Sequence, residues 1–240
     1  MRQKIIFTSN IHSLSIKNHF NRFLLHLPRT LIMKQIFLVQ ILWSLFIFSG
    51  SSSLETWQLK SKKGNIKVYT RTTSKSSIKE VRITTQIKGD LDNLLTLLDD
   101  VASFKTWLYR CSNSKLLKTV GKGEYYYYNL TDFPFPFSDR DMIIHSKTSK
   151  VPGSNIVKTH SKAYTKNDLY KEQSGIVRIK ILEYTWTFTP LRNGMIDIDY
   201  EIFSDPGGAL PAWVVNMAIS KGPMETMLHL KKEMNRRYNK

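Results

Sequence analysis

Ser204-Asp205-Pro206-Gly207-Gly208-Ala209-Leu210-Pro211-Ala212-Trp213 stops one kind of structure and starts another. Residues 195–204 before it alternate as a strand, and two glycines then allow a sharp turn. Residues 210–238 after it read as a helix about 40 Å long at about 1.5 Å per residue. A second punctuated stretch, Asp132-Phe133-Pro134-Phe135-Pro136-Phe137-Ser138-Asp139-Arg140-Asp141, separates two further strand-like runs. Together they predict a curved antiparallel sheet around a C-terminal helix, an α+β architecture with room between the layers for an apolar molecule.

Working back from these breaks, the hairpins announce themselves. Asn193-Gly194 joins 176–190 to 195–204, and Gly121-Lys122-Gly123 joins 115–120 to 124–131. Pro152-Gly153-Ser154-Asn155 joins 140–150 to 156–164. Further upstream, 66–71 follows a Gly64-Asn65 turn, and 78–88 places Val81, Ile83, Thr85 and Ile87 on one face. Asp90 is a good N-cap for a helix carrying Leu91, Leu94, Leu95 and Leu98, and a second short helix covers 101–109. Adjacent long strands joined by short turns imply an antiparallel meander.

The final helix carries Leu210, Trp213, Val214, Met217, Met224, Met227 and Leu228 on one stripe, with Met234 beyond. Methionine is unbranched and polarizable, so such a stripe adapts to ligands of varied shape. Pro223 cannot donate to the carbonyl of Ile219, which predicts a kink.

Charge divides the chain. Residues 1–53 hold no Asp or Glu, and all 19 acidic residues follow. Met33-Lys34-Gln35, an apolar run over 36–48 and Ser49-Gly50-Ser51-Ser52-Ser53 have the layout of a secretory signal peptide starting at Met33. The run is shorter than the roughly 20 residues of a spanning helix. Export to the periplasm or the extracellular space is the expectation, with an uncleaved membrane anchor or a transit peptide as alternatives. Residues 54–240 then form one domain. Six of the 36 basic residues precede it, leaving 30 against 19 acidic ones, a net charge of +11. The basic residues are scattered, which fits a solvated surface or transient contact with an anionic membrane and argues against nucleic acid. Cys111 is the single cysteine, so no internal disulfide forms, and no His/Cys spacing suggests a metal. No cofactor is implied, and a monomer is expected.

Phe-Pro-Phe-Pro-Phe-Ser-Asp-Arg-Asp at 133–141 and Asp-Pro-Gly-Gly-Ala-Leu-Pro-Ala-Trp at 205–213 stand in this element order. With them go Trp57, Gly64-Asn65-Ile66-Lys67-Val68-Tyr69-Thr70-Arg71 and Trp186-Thr187-Phe188-Thr189-Pro190. On these motifs residues 55–240 resemble the START domain, the lipid-transfer module related to the steroidogenic acute regulatory protein, here as an exported bacterial-type member. The resemblance implies a helix-grip fold with one lipid-sized cavity, gated by the C-terminal helix and the 205–208 loop, and binding without chemistry. Sterol-binding members often carry a buried Arg six positions beyond the Arg of the Arg-Asp pair. Here that position is Ser146, which leaves the ligand class open.

Alternation nominates the walls. Two of Tyr125, Tyr126, Tyr127 and Tyr128 face inward, either 125 and 127 or 126 and 128, and Tyr126 and Tyr128 are our candidate pair. Ile143 and His145 share a face one strand on, and Trp186, Phe188, Ile198 and Tyr200 form the expected late wall. Trp107, Met217, Met224 and Met227 add to the wall from the helices, and Trp213 stands at the entrance beside the glycine loop. Arg140 and Asp141 are expected in a buried structural ion pair, because a buried charge requires a partner. An enzyme on the same scaffold, a cyclase or hydrolase of hydrophobic substrates, is the alternative; it would draw on His145 with Tyr126 or Tyr128.

Overall fold

The computed structural model describes residues 55–166 and 168–238. The expected signal peptide and the boundary at 53/54 lie outside the described residues. One sheet runs in the order β1-β2-β3-β10-β9-β7-β6-β5-β4, with β8 paired in parallel beside β6. Its strands are β1 Gln58–Lys63, β2 Ile66–Thr73, β3 Ser76–Lys88, β4 Cys111–Gly121, β5 Glu124–Thr131, β6 Arg140–Lys150, β7 Val157–Ala163, β8 Val177–Arg178, β9 Ile181–Pro190 and β10 Met195–Asp205. The helices are α1 Leu91–Asp99, α2 Phe104–Trp107, α3 Ala212–Ala218 and α4 Lys221–Tyr238, with a 3₁₀ turn at Val101–Ser103 before α2. The sheet is curved and antiparallel along its main path, and the long C-terminal helix closes one side, as expected from the alternating runs.

The turn chemistry sets the register. Leu191 N–H donates to Met195 O at 2.8 Å across Asn193-Gly194, and Gly194 takes φ 70°, where a side chain would be strained. Asp90 Oδ1 accepts from Asp92 N (2.8 Å) and Asn93 N (3.2 Å), satisfying two N–H groups at the start of α1. Leu94, Leu97 and Leu98 then turn inward. Val81, Ile83, Thr85 and Ile87 of β3 are buried, and Arg82 on the opposite face pairs with Asp199 of β10.

Three elements depart from the sequence reading. β1 is an edge strand, mostly exposed and rich in lysine, so it lacks the apolar alternation that reveals a strand but has the charges that discourage edge pairing. The run 176–190 divides into β8 and β9, because residues 177–178 pair with β6 and not with β10. The expected single helix over 210–238 is two: α3 ends at Ala218, and Ile219-Ser220 form a turn before α4. Pro223 thus lies in the first turn of α4, where its missing N–H costs nothing. Gly222 beside it lets the Tyr109 ring approach to 3.4 Å of where a Cβ would stand.

α4 packs on β2 and β3 through Met227, Leu230 and Met234, all fully buried. Its far end is tied electrostatically. Glu233 accepts from Arg236 (2.7 and 2.8 Å) and Arg237 (2.7 Å), and Arg237 also reaches Asp100 Oδ2 after α1 at 2.8 Å. The Arg236 hydrogen bond, seconded by Arg237 against the opposing effect of burial, holds the Glu233 carboxyl down at about 2. The depressed pKa means this stabilisation is complete above the ordinary carboxylate value of 4.5 and is lost as pH falls toward 2. Glu233→Gln should therefore cost about 1–2 kcal/mol at pH 7. In thermal melts the gap between variant and native protein should narrow steadily below pH 4.5; a gap unchanged at pH 3 would refute this assignment.

Candidate functional site

A cavity of about 570 Å³ lies between the sheet and the helices, within the roughly 300–1,000 Å³ typical of small-molecule sites. Period-two alternation decides which side chains reach it. From β5 these are Tyr125, Tyr127 and Asn129; from β6, Met142, Ile144 and Ser146. Leu182, Tyr184 and Trp186 of β9 and Tyr200 and Ile202 of β10 continue the wall. Leu95, Leu98, Phe104 and Trp107 cover it from α1 and α2, and Val214, Val215 and Ala218 from α3. Phe133, Pro134 and Phe137 from the Phe-Pro stretch and Pro206 and Leu210 from the glycine loop line it from the connections.

The nominated residues therefore divide. Trp107, Trp186 and Tyr200 line the cavity. Phe188 and Ile198 share the inner face of the sheet but are fully buried in its packed core and do not line the cavity. Met224 and Met227 are likewise core residues, so the methionine stripe packs the fold and leaves the cavity to Ile219, Gly222, Pro223 and Thr226. Trp213 and Met217, expected at the gate and wall, are 69% and 70% exposed, because the break after α3 rotates their stripe out of phase with α4.

Tyr126, Tyr128, Ile143 and His145 need the largest correction: all four lie on the face turned away from the cavity. Tyr126 stacks on His145 with centroids 4.4 Å apart and meets Tyr164 edge-on. His145 Nε2 lies 2.9 Å from Glu124 Oε1. Tyr128 pairs across strands with Ile143 and packs on Tyr170, and burial pushes its phenol up to about 12. A one-residue shift of parity inverts a strand's faces, and four consecutive tyrosines give no alternation to fix that parity. Asp141 offered the missing signal: it has the parity of Ile143 and His145, and its carboxylate points to a partner outside the apolar interior.

That partner is Arg178. Arg178 Nε and Nη2 donate to Asp141 Oδ1 and Oδ2 at 2.6 and 3.0 Å, with side chains 5% and 1% exposed. Arg140, expected in an ion pair with its neighbour, instead meets backbone oxygens. Its guanidinium donates to Ser138 O, Pro206 O (3.4 Å) and Gly207 O (3.5 Å), and lies 4.2 Å over the Phe133 ring. Burial pulls its pKa below the usual value. Arg140 thus ties the glycine loop to the Phe-Pro stretch, two segments that both line the cavity. Gly207 and Gly208 take φ 66° and 70° there, a conformation that side chains rarely adopt, and a Cβ on Gly208 would stand 3.5 Å from Arg140 Nη2.

The phenols and the thiol of the wall are held protonated. Tyr127 and Tyr184 hydroxyls bond to each other, and burial raises both phenols. The Tyr125 hydroxyl lies 3.2 Å from Leu98 O and from Asp99 Oδ1, and burial again raises it. Burial brings the Cys111 thiol up to about 11. Ser146, where the sterol-binding pattern would place Arg, is buried and accepts from Ser161 Oγ at 2.9 Å. Among the described residues no group of three or more His, Cys, Asp or Glu gathers that could hold a metal. Such a wall is suited to burying hydrocarbon.

A curved antiparallel sheet closed over an apolar cavity by a C-terminal helix is the helix-grip architecture. The START domain model matches residues 46–240, and this chain belongs to the START domain family. It is 29% identical over 195 residues to an uncharacterised protein of Pseudomonas aeruginosa, covering 81% of this chain and 94% of that one. It is 23% identical over 169 residues to the phosphatidylcholine transfer protein of Bos taurus, covering 69% of this chain and 78% of that one. The crystal structure of a STAR-related lipid transfer protein from Xanthomonas axonopodis superposes with a TM-score of 0.69 at 28% identity, over 75% of this chain and 98% of that one.

Proposed function

We propose that this protein is an exported monomer that takes up one apolar ligand, a lipid, into the cavity and sequesters it or transfers it between membranes. The single observation that carries this reading is the largely apolar and aromatic wall around about 570 Å³. Each methylene moved from water into it gains about 0.8 kcal/mol, enough to drive uptake without chemistry. His145 and Tyr126, which an enzyme would have needed beside the substrate, lie on the other face of the sheet. Export rests on the signal-like layout of residues 33–53.

The mouth of the cavity carries the features of a membrane-facing gate. Phe135 is 97% exposed beside the lining residues Pro134 and Phe137, and Trp213 and Met217 stand out from α3, whose inner side lines the cavity. Lys79, Arg110 and Lys221 add positive charge around the lining, which favours transient contact with anionic lipid. Ligand would enter as the 205–208 loop and α3 lift, with Arg140 as the restraint. Arg140→Ala should speed ligand release by about tenfold, on the scale of losing one charged hydrogen-bond set. Stopped-flow dilution of a fluorescent lipid measures this; an unchanged release rate would remove Arg140 from gating.

The reading as a whole is tested by native mass spectrometry of purified protein, together with transfer of fluorescent lipid between vesicles. A bound apolar molecule and accelerated transfer are expected. Ligand-free protein that neither takes up nor transfers lipid would overturn it.

A further inference from the structure

We propose that the cavity recognises an uncharged head group able both to donate and to accept hydrogen bonds, a hydroxyl or carboxamide on a hydrocarbon body, through Trp107, Asn129 and Tyr200. The proposal rests on the cavity being a lipid site and specifies what that lipid carries.

Many polar groups on the wall are already satisfied. Tyr127 bonds Tyr184, Tyr125 reaches Leu98 and Asp99, Ser146 accepts from Ser161, and Thr148 bonds Thr159. Three are not. Trp107 Nε1 and Asn129 Oδ1 are buried without a hydrogen-bond partner, in residues 2% and 5% exposed. The hydroxyl of Tyr200, in a residue 9% exposed, makes no hydrogen bond among the described residues. Buried polar groups are nearly always paired, so each exception calls for a partner.

The three belong to one band. Phe104 meets Trp107 and Tyr127 edge-on at 5.2 and 5.3 Å. Tyr127 is bonded to Tyr184, whose ring lies 5.7 Å from that of Tyr200. Asn129 follows Tyr127 by two residues on the same face of β5 and lines the same cavity.

The donor and acceptor types define the guest. An indole N–H only donates, an amide oxygen only accepts, and a phenol does either. The complementary group must therefore offer an acceptor and a donor together. It must also be uncharged. The charged residues that line the cavity, Lys79, Asp99, Arg110, Asp132 and Lys221, are exposed or half-buried, and none is buried in the interior to neutralise an ion there.

Five probes with one sixteen-carbon chain separate the possibilities when titrated into the purified full-length protein: hexadecanol, hexadecanamide, hexadecyl methyl ether, palmitate and hexadecyltrimethylammonium. Hexadecanol and hexadecanamide should bind at least about tenfold tighter than the ether, which accepts but cannot donate, and tighter than either ion. The combined variant Trp107→Phe, Asn129→Leu, Tyr200→Phe should still bind the ether, which shows that it folds, and should reduce the preference to about twofold or less. An ether that binds as well as the alcohol, an ion that binds tightest, or a preference surviving in the combined variant would overturn the head-group inference while leaving the lipid site standing. Failure of all five probes would instead overturn the lipid reading itself.

Discussion

Asp141→Ala should cost about 3–5 kcal/mol, the range for removing one partner of a buried ion pair. The loss arises because Arg178 stays behind with its side chain 5% exposed and no carboxylate to meet. Its remaining contacts, Tyr170 O at 3.3 Å and Lys171 O at 3.4 Å, are long and neutral. For a domain of this size the melting temperature should fall by about 10 °C. Arg178 also pins the crossover between β7 and β9 against the outer face of the sheet, where Tyr170 covers Tyr128 and Gln173 reaches its hydroxyl. Loss of Asp141 should therefore raise hydrogen exchange around 168–178 first. The companion Asp141→Ala, Arg178→Met should recover much of the loss, because it removes the stranded charge along with its partner. Chemical denaturation of the two variants gives the comparison, and equal stability of the single variant and the native protein would contradict the pairing.

Ile202→Trp should abolish ligand uptake with little change in stability. Ile202 lies on β10 between Val81 and Tyr184, and all three line the cavity. Enlarging a side chain in a packed core typically costs about 1–3 kcal/mol through strain. Here the added volume enters a space of about 570 Å³, so the cost should stay below about 1 kcal/mol. Lipid affinity should drop by more than about tenfold, since an indole occupies volume that the hydrocarbon needs. A stable variant with undiminished uptake would show that lipid binds elsewhere.

The sheet was legible wherever a turn residue fixed the register. Asn193-Gly194, the glycines around Lys122 and the Asp90 cap each carry their own backbone geometry, so the elements they bound follow from local chemistry. Faces were legible only where apolar and polar residues alternate, as in Val81, Ile83, Thr85 and Ile87. At Tyr125 to Tyr128 every residue suits either side of a sheet, and the parity is set by partners far along the chain. The cavity wall was correspondingly half visible. Trp107, Trp186 and Tyr200 were found, whereas Tyr125, Tyr127, Asn129 and Tyr184 were missed with the inverted face or overlooked on their strands. The helix stripe failed for a different reason: two residues, Ile219 and Ser220, interrupt the period that joined Trp213 and Met217 to Met224 and Met227.

The sheet order places β3 beside β10, so Thr85 finds its neighbour at Ile198. A nascent chain can form the β1–β3 hairpins early, but β3 lacks its other neighbour until β10 has been synthesised. Native pairing of such distant segments makes for slow folding and leaves β3 an open edge meanwhile. Truncation anywhere before β10 should therefore give an insoluble product and not a smaller stable domain.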